Sequence, residues 1–264
     1  MDAAARKRAI VETAMPLFAR KGFTGTTTKE LAEKAGVSEA LLYRHFPTKA
    51  ALYEEIQQLG CQVDPALDEL NALAPSTEIL ADMVQAMFEH IVFGAFADPG
   101  TSKIRQRLML QSLLEDGEYA RVLLSRVAGR CLPIFEASIA AAREAGDLRG
   151  PGLDPMNAFW FAGHVASQIA HGRLPESEVI PYRGEIEAVT ADAIRFCLRG
   201  IGLTEEAIER YCSGGPGIAA AIAGAMKKYQ SQGAEEAEAA PSLTGEASAN
   251  REPGAPTAVA GRAA

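Results

Sequence analysis

The sequence predicts an all-α protein, with a small three-helix head and a larger helical body, on three observations. Apolar residues recur at three- and four-residue spacing through most of the chain. No stretch alternates Val, Ile, Thr and aromatic residues between tight turns, as strands would. Glycine, proline and capping residues mark the breaks between periodic stretches. At 264 residues, 48% hydrophobic and 23% charged, the chain is long enough for a small domain joined to a larger one with its own core.

The first helix is expected over residues 4–21, with Ile10, Ala14, Leu17 and Phe18 on one face and Gly22 as its stop. Pro16 lies inside it and forfeits a hydrogen bond to the Glu12 carbonyl. That costs up to about 3 kcal/mol and predicts a kink. Two short helices follow, then a fourth from near Lys49, and residues 64–75 read as a weakly ordered connection. Longer helices are expected over residues 76–97, 101–115, 118–145, 154–171 and 183–201, separated by Asp98-Pro99-Gly100, Gly117, Gly146 and "RGPGLDP". Asp154 before Pro155 is a strong helix start, since the aspartate caps and the proline sits where no amide is needed. After Tyr211, "CSGGPG" reads as a linker and residues 218–229 as one further helix. Residues 231–264 have only Leu243 and Val259 as large aliphatics, too little apolar area to offset ordering, and are expected to be disordered. The expected division is a head over 1–58, a body over 59–212 and a tail over 213–264.

Charge is unevenly spread. The chain is at −8 overall, but its first 54 residues carry nine Lys and Arg against six Asp and Glu. A positive head on an acidic body suits a small nucleic-acid reader attached to a domain that does not touch nucleic acid. The start "MDAAARKRAI" lacks the apolar run of a secretory signal, and no uncharged apolar run reaches about 18 residues. A cytoplasmic protein with no membrane partner is expected. Cys61, Cys131, Cys197 and Cys212 lie far apart without a C-x-x-C pair and read as reduced, buried thiols. His164 and His171 are two helical turns apart, a poor spacing for a metal, so neither metal nor cofactor is expected. No nucleophile elbow, phosphate-binding glycine loop or H-E-x-x-H is present, which argues against the alternative of an all-helical enzyme.

The densest information lies in "TTTKELAEKAGVSEALLYRHFPTKAAL". Thr27 and Glu30 form a capping box, Gly36 suits a left-handed helix end, and Ser38 caps the next helix. Ala32, Ala35, Gly36, Val37 and Leu42 have the spacing of a helix-turn-helix, in which two helices cross closely and the second projects outward to enter a major groove. Thr28, Tyr43, His45, Thr48 and Lys49 are hydrogen-bond donors gathered at helix starts and on one outer edge, where they are able to bind phosphates.

These residues carry a resemblance. The entry "F-x-x-K-G-F-x-x-T-T", the turn "A-x-x-A-G-V-S" and the exit "L-Y-x-H-F-x-x-K" stand in one order near the start, and residues 6–58 resemble the DNA-binding domain of the TetR family of bacterial transcriptional regulators. The resemblance implies a regulator, most simply a repressor, that binds palindromic double-stranded operator DNA as a homodimer and is released by a small-molecule effector. An activator, or a regulator controlled by a protein partner, fits the same motif. By position, Thr28 matches a phosphate-binding threonine and Lys29 its neighbour at phosphate or base. Ser38, Glu39, Ala40 and Leu41 match the base-reading start of the recognition helix, with Arg44 at another outward position. Tyr43, His45 and Lys49 match backbone contacts. Glu39 departs from this pattern, since a carboxylate near phosphates is repelled unless it accepts from a cytosine amino group. Ala40 and Leu41 offer apolar contact alone, which leaves Lys29, Arg44 and DNA shape to carry selectivity.

The resemblance also implies that the body dimerises and encloses a ligand. Two helical stripes are candidates for the dimer interface: Phe159, Ala162, Gly163, Ala166 and Ala170, then Ile186, Val189, Ala193, Phe196, Cys197 and Gly200. Candidate linings of a pocket for a hydrophobic effector are Met83, Met87, Phe88, Phe93, Phe96, Met109, Phe135, Trp160 and His164. Core packing explains the same residues.

Overall fold

Among the described residues of this computed structural model, 3–60, 73–94, 99–177 and 179–212, ten α-helices and one π-helical segment are joined by short turns. The helices are α1 (Ala3–Gly25), α2 (Thr28–Ala35), α3 (Glu39–His45), α4 (Lys49–Gly60), α5 (Thr77–Phe88), α6 (Pro99–Leu114), α7 (Glu118–Glu144), α8 (Pro155–Gly172), α9 (Ile186–Ile201) and α10 (Glu205–Cys212). The expected all-α architecture is what the chain forms. The expected tail, most of the connection over 64–75, Cys61 and Phe96 lie outside the described residues.

Local rules set most boundaries. Ser76, Asp154 and Ser38 each accept from an amide in the first turn of the helix they cap, and Gly36 ends α2 at φ 64° and ψ 32°. Three expectations need correction. The kink in α1 falls at Gly22 (φ 72°, ψ 177°), and Pro16 keeps helical angles. The helix expected to reach residue 97 turns π-helical at Glu89–Phe93 and closes on Gly94 in the left-handed conformation. There the carbonyls of Ile91 and Val92 are taken by Gln106 Nε2 (2.8 Å) and Arg173 Nη1 (3.2 Å), bonds to distant side chains that no local pattern foretells. The helix expected from residue 183 begins at Ile186, because Gly184 at φ 92° is outside helical space. Helix α10 was not expected at all.

Two apolar cores follow. One joins α5, α7, α8, α9 and α10 around Phe88, Phe135, Phe159 and Leu198. At its far end Asp147 accepts from Thr77 Oγ1 (2.8 Å) and pairs with Arg210 (3.3 Å), beside the isolated bridge between Leu148 and Leu203. The other gathers Ile10, Phe18, Leu31, Leu42, Phe46 and Ile56 from α1 to α4, and it takes in Leu108 of α6 and Tyr119 of α7. The head's core is thus completed by side chains of the body. Phe18, Phe23, Tyr53 and Tyr119 form a chain of ring contacts with centroids 5.0 to 6.5 Å apart.

Candidate nucleic-acid interface

Helices α2 and α3 are short, so their orientation depends on caps and on one turn. The Thr27 hydroxyl accepts from the Glu30 amide (3.3 Å) while the Thr27 amide donates to the Glu30 carboxylate (3.2 Å). Lys21 hydrogen-bonds the same carboxylate. Together the Lys21 ammonium and the Thr27 amide hold the Glu30 pKa down at about 2. At the turn the Val37 amide reaches the Ala32 carbonyl (3.0 Å), and the Ser38 hydroxyl then accepts from the Leu41 amide (3.1 Å).

Leu42 alone of α3 is buried, and it fixes the rotation of the helix. Ser38, Glu39, Ala40, Tyr43 and Arg44 therefore point to solvent, with Leu41 and His45 half-buried at the edges. Lys29 on α2 is exposed and Thr28 half-buried. The Tyr43 hydroxyl donates to Thr28 Oγ1 (3.3 Å), which brings two of the expected phosphate contacts to one point between the helices. Among the described residues Lys29, Lys34 and Arg44 make no ion pair, whereas Lys7 pairs with Glu55 at 2.8 Å. The face thus offers cations to an anion with little local competition.

Lys49 has a second occupation. Its ammonium donates to the carbonyls of Phe23 (2.7 Å) and Thr26 (2.9 Å) and lies 4.3 Å from the centre of the Phe23 ring. It ties the start of α4 to the turn between α1 and α2, which sequence reading, placing it at phosphate, did not reveal. Glu115, at the end of α6, was likewise missed: its carboxylate accepts from the Phe23 amide (3.2 Å) across a separation of 92 residues.

The residues expected to line a pocket do not converge on one. Met83, Phe88 and Phe135 are packed into the body core, with Met87, Phe93 and Trp160 partly buried against it. Met109 packs on the other core, and His164 is exposed. The described cleft of about 290 Å³ lies elsewhere, between the end of α8 and the start of α9. The expected interface residues also divide. Phe159, Ala162, Ala166, Ala170 and Cys197 are buried within the chain, Ile186, Val189 and Ala193 lean on the same core, and Gly163 faces Met87. What faces outward is one stripe on α8, Asn157, Phe161, His164 and Gln168, and one on α9, Ala188, Asp192, Phe196 and Gly200. Phe161 is 53% exposed and Phe196 67%.

Among the described residues no helix is long and apolar enough to cross a membrane. Residues 10–56 match the model for bacterial regulatory proteins of the tetR family. The chain is 34% identical over 88 residues to YerO of Bacillus subtilis, an uncharacterized HTH-type transcriptional regulator, a match that covers 32% of this chain and 30% of that one. It therefore spans under a third of that relative. It is 29% identical over 154 residues to the nucleoid occlusion factor SlmA of Aliivibrio fischeri, over 51% of this chain and 74% of that one. Its fold is similar to a solved structure of AibR in complex with isovaleryl coenzyme A and operator DNA, with a TM-score of 0.54 at 20% identity, over 75% of this chain and all of the other.

Proposed function

We propose that the chain is a transcriptional regulator of the tetR family, whose model its residues 10–56 match, that it binds a palindromic operator as a homodimer, represses transcription there, and is released by a small molecule. The observation that carries this is the outward face of α3, with Tyr43 joined to Thr28 beneath it and Lys29 and Arg44 unpaired on either side. In this reading Ser38, Glu39, Ala40 and Leu41 enter the major groove, Arg44 and Lys29 reach base edges or flanking phosphates, and Thr28, Tyr43 and His45 hold the backbone. Lys49 positions the turn and contributes its remaining donor. The division of roles proposed is 1–58 for DNA, 59–212 for control and pairing, and 213–264 as a tail.

One α3 reads too few base pairs to select an operator, and two related by a twofold axis read half-sites about 34 Å apart or a multiple of it. The exposed stripes around Phe161 and Phe196 are the surface proposed to bring two copies together. Hydroxyl-radical footprinting on DNA upstream of its own gene tests this. Two protected patches related by a dyad are expected, and a single patch or none contradicts the reading. A second reading, control by a protein partner and not a small molecule, is favoured by the similarity to SlmA, a nucleoid occlusion factor.

A further inference from the structure

The cleft between α8 and α9 has aliphatic walls, Ile169, Ile180, Ile186 and Val189. Two opposite charges border it: Arg173 just past the end of α8 and Glu185 at the cap of α9. Arg173 spends one Nη1 donor on the Val92 carbonyl (3.2 Å), which fixes the guanidinium and leaves its other donors for a ligand. Among the described residues Arg173 and Glu185 make no ion pair with each other or with any third group. A held cation and a carboxylate around a branched aliphatic wall are complementary to a molecule with both charges and a short branched chain. The volume, about 290 Å³, suits a small molecule of that kind.

Helix α6 reaches both the chain segment that borders this cleft and the head. Arg107 Nη2 donates to the carbonyl of Leu174 (2.9 Å), the residue after Arg173. Eight residues on, a helical rise of about 12 Å, Glu115 accepts from the Phe23 amide. Gly22 beside it stands at φ 72°, and a Cβ there would collide with the Glu115 carboxylate and lie 2.6 Å from Gln111 Nε2. The absent side chain is what lets Glu115 seat on the turn. From that turn Lys49 and the Thr26 hydroxyl, which donates to the Gly22 carbonyl (2.7 Å), lead directly to Thr28 at the start of α2.

We propose that the α8–α9 cleft binds a small branched aliphatic amino acid and that α6 carries its occupancy to the DNA-binding turn through Arg107 and Glu115. This rests on the effector-controlled DNA binding proposed above. A ligand shifts the head only by preferring one seating of α6 over another, so coupling is lost if either hook is removed while binding at the cleft persists.

The test pairs calorimetry with DNA-binding anisotropy on the full chain. Leucine, isoleucine and valine are titrated beside 4-methylpentanoate, which lacks the amine, and 3-methylbutylamine, which lacks the carboxylate. One saturable site per chain is expected for at least one amino acid, with its single-charge analogues about tenfold weaker or more. Glu185→Gln is expected to erase the preference for leucine over 4-methylpentanoate. On DNA, the bound amino acid is expected to change affinity about fivefold or more in the wild type and in Glu115→Gln, whose amide oxygen still accepts from Phe23. In Glu115→Ala that change is expected to vanish with the amino-acid affinity intact. No saturable heat, equal binding of the analogues, or undiminished coupling in Glu115→Ala overturns the proposal. Absence of DNA binding in the ligand-free wild type instead defeats the regulatory reading, and calorimetry still decides the cleft.

Discussion

Lys49, on the proposed DNA face, ties the turn below it. Replacing it with Met keeps an alkyl chain against Phe23 but removes the donor to the Thr26 carbonyl and leaves the Phe23 carbonyl with the Thr26 amide alone (3.4 Å). Loss of hydrogen bonds to a charged donor is expected to lower stability by about 1.5–3 kcal/mol, read as the shift in urea midpoint at unchanged slope. Glu30 makes a second prediction at this scale. With its pKa lowered to about 2, it loses its contribution to stability as pH falls below about 4.5, because the unfolded carboxyl protonates first. Melting temperatures of wild type and Glu30→Gln across pH 7 to 2 check this: the variant is expected to lose part of the slope below pH 4.5.

At the scale of elements, α3 has seven residues and cannot stand alone, so its cap and its turn carry unusual weight. Ser38→Ala removes the acceptor for the Leu41 amide and is expected to cost about 1 kcal/mol, with a larger fraction of DNA affinity lost than of secondary structure. Such features were legible in the sequence because they are local: Thr27 with Glu30, Gly36, Ser38, and Asp154 before Pro155 all act within a few residues. The π-helical segment at Glu89–Phe93 was not, since its carbonyls are held by Gln106 and Arg173 from far along the chain. The choice between pocket and core was left open for a related reason. Met83, Phe88 and Phe135 have the same helical spacing whether they face a cavity or a packed core, whereas the described cleft is built partly from the connection around Arg173 and Glu185, which has no periodicity to read.

Over the whole molecule, the head is not an independent bead. Leu108 and Tyr119 enter its core, and Glu115 holds its first turn, so movement in the body has a mechanical path to α2 and α3. If the stripes on α8 and α9 join two copies, Phe161→Arg and Phe196→Arg place charges in that contact and are expected to shift sedimentation equilibrium to monomer while leaving the helical circular dichroism intact. Sequence reading placed Phe196 and Gly200 on this outward stripe but took the rest of its candidates from buried or partly buried positions, because small residues mark close packing without saying which neighbour is close. The account's central claim is that α3 and its cationic borders read DNA. Fluorescence anisotropy on the footprinted operator over a series of salt concentrations tests it most directly, with wild type, Lys29→Ala and Arg44→Ala compared. The account predicts log affinity falling linearly with log salt, a slope reduced by about 1 for a lysine or arginine that meets phosphate, and weakened discrimination against scrambled DNA for one that meets a base. Affinity indifferent to salt, or unchanged in both variants, would contradict it.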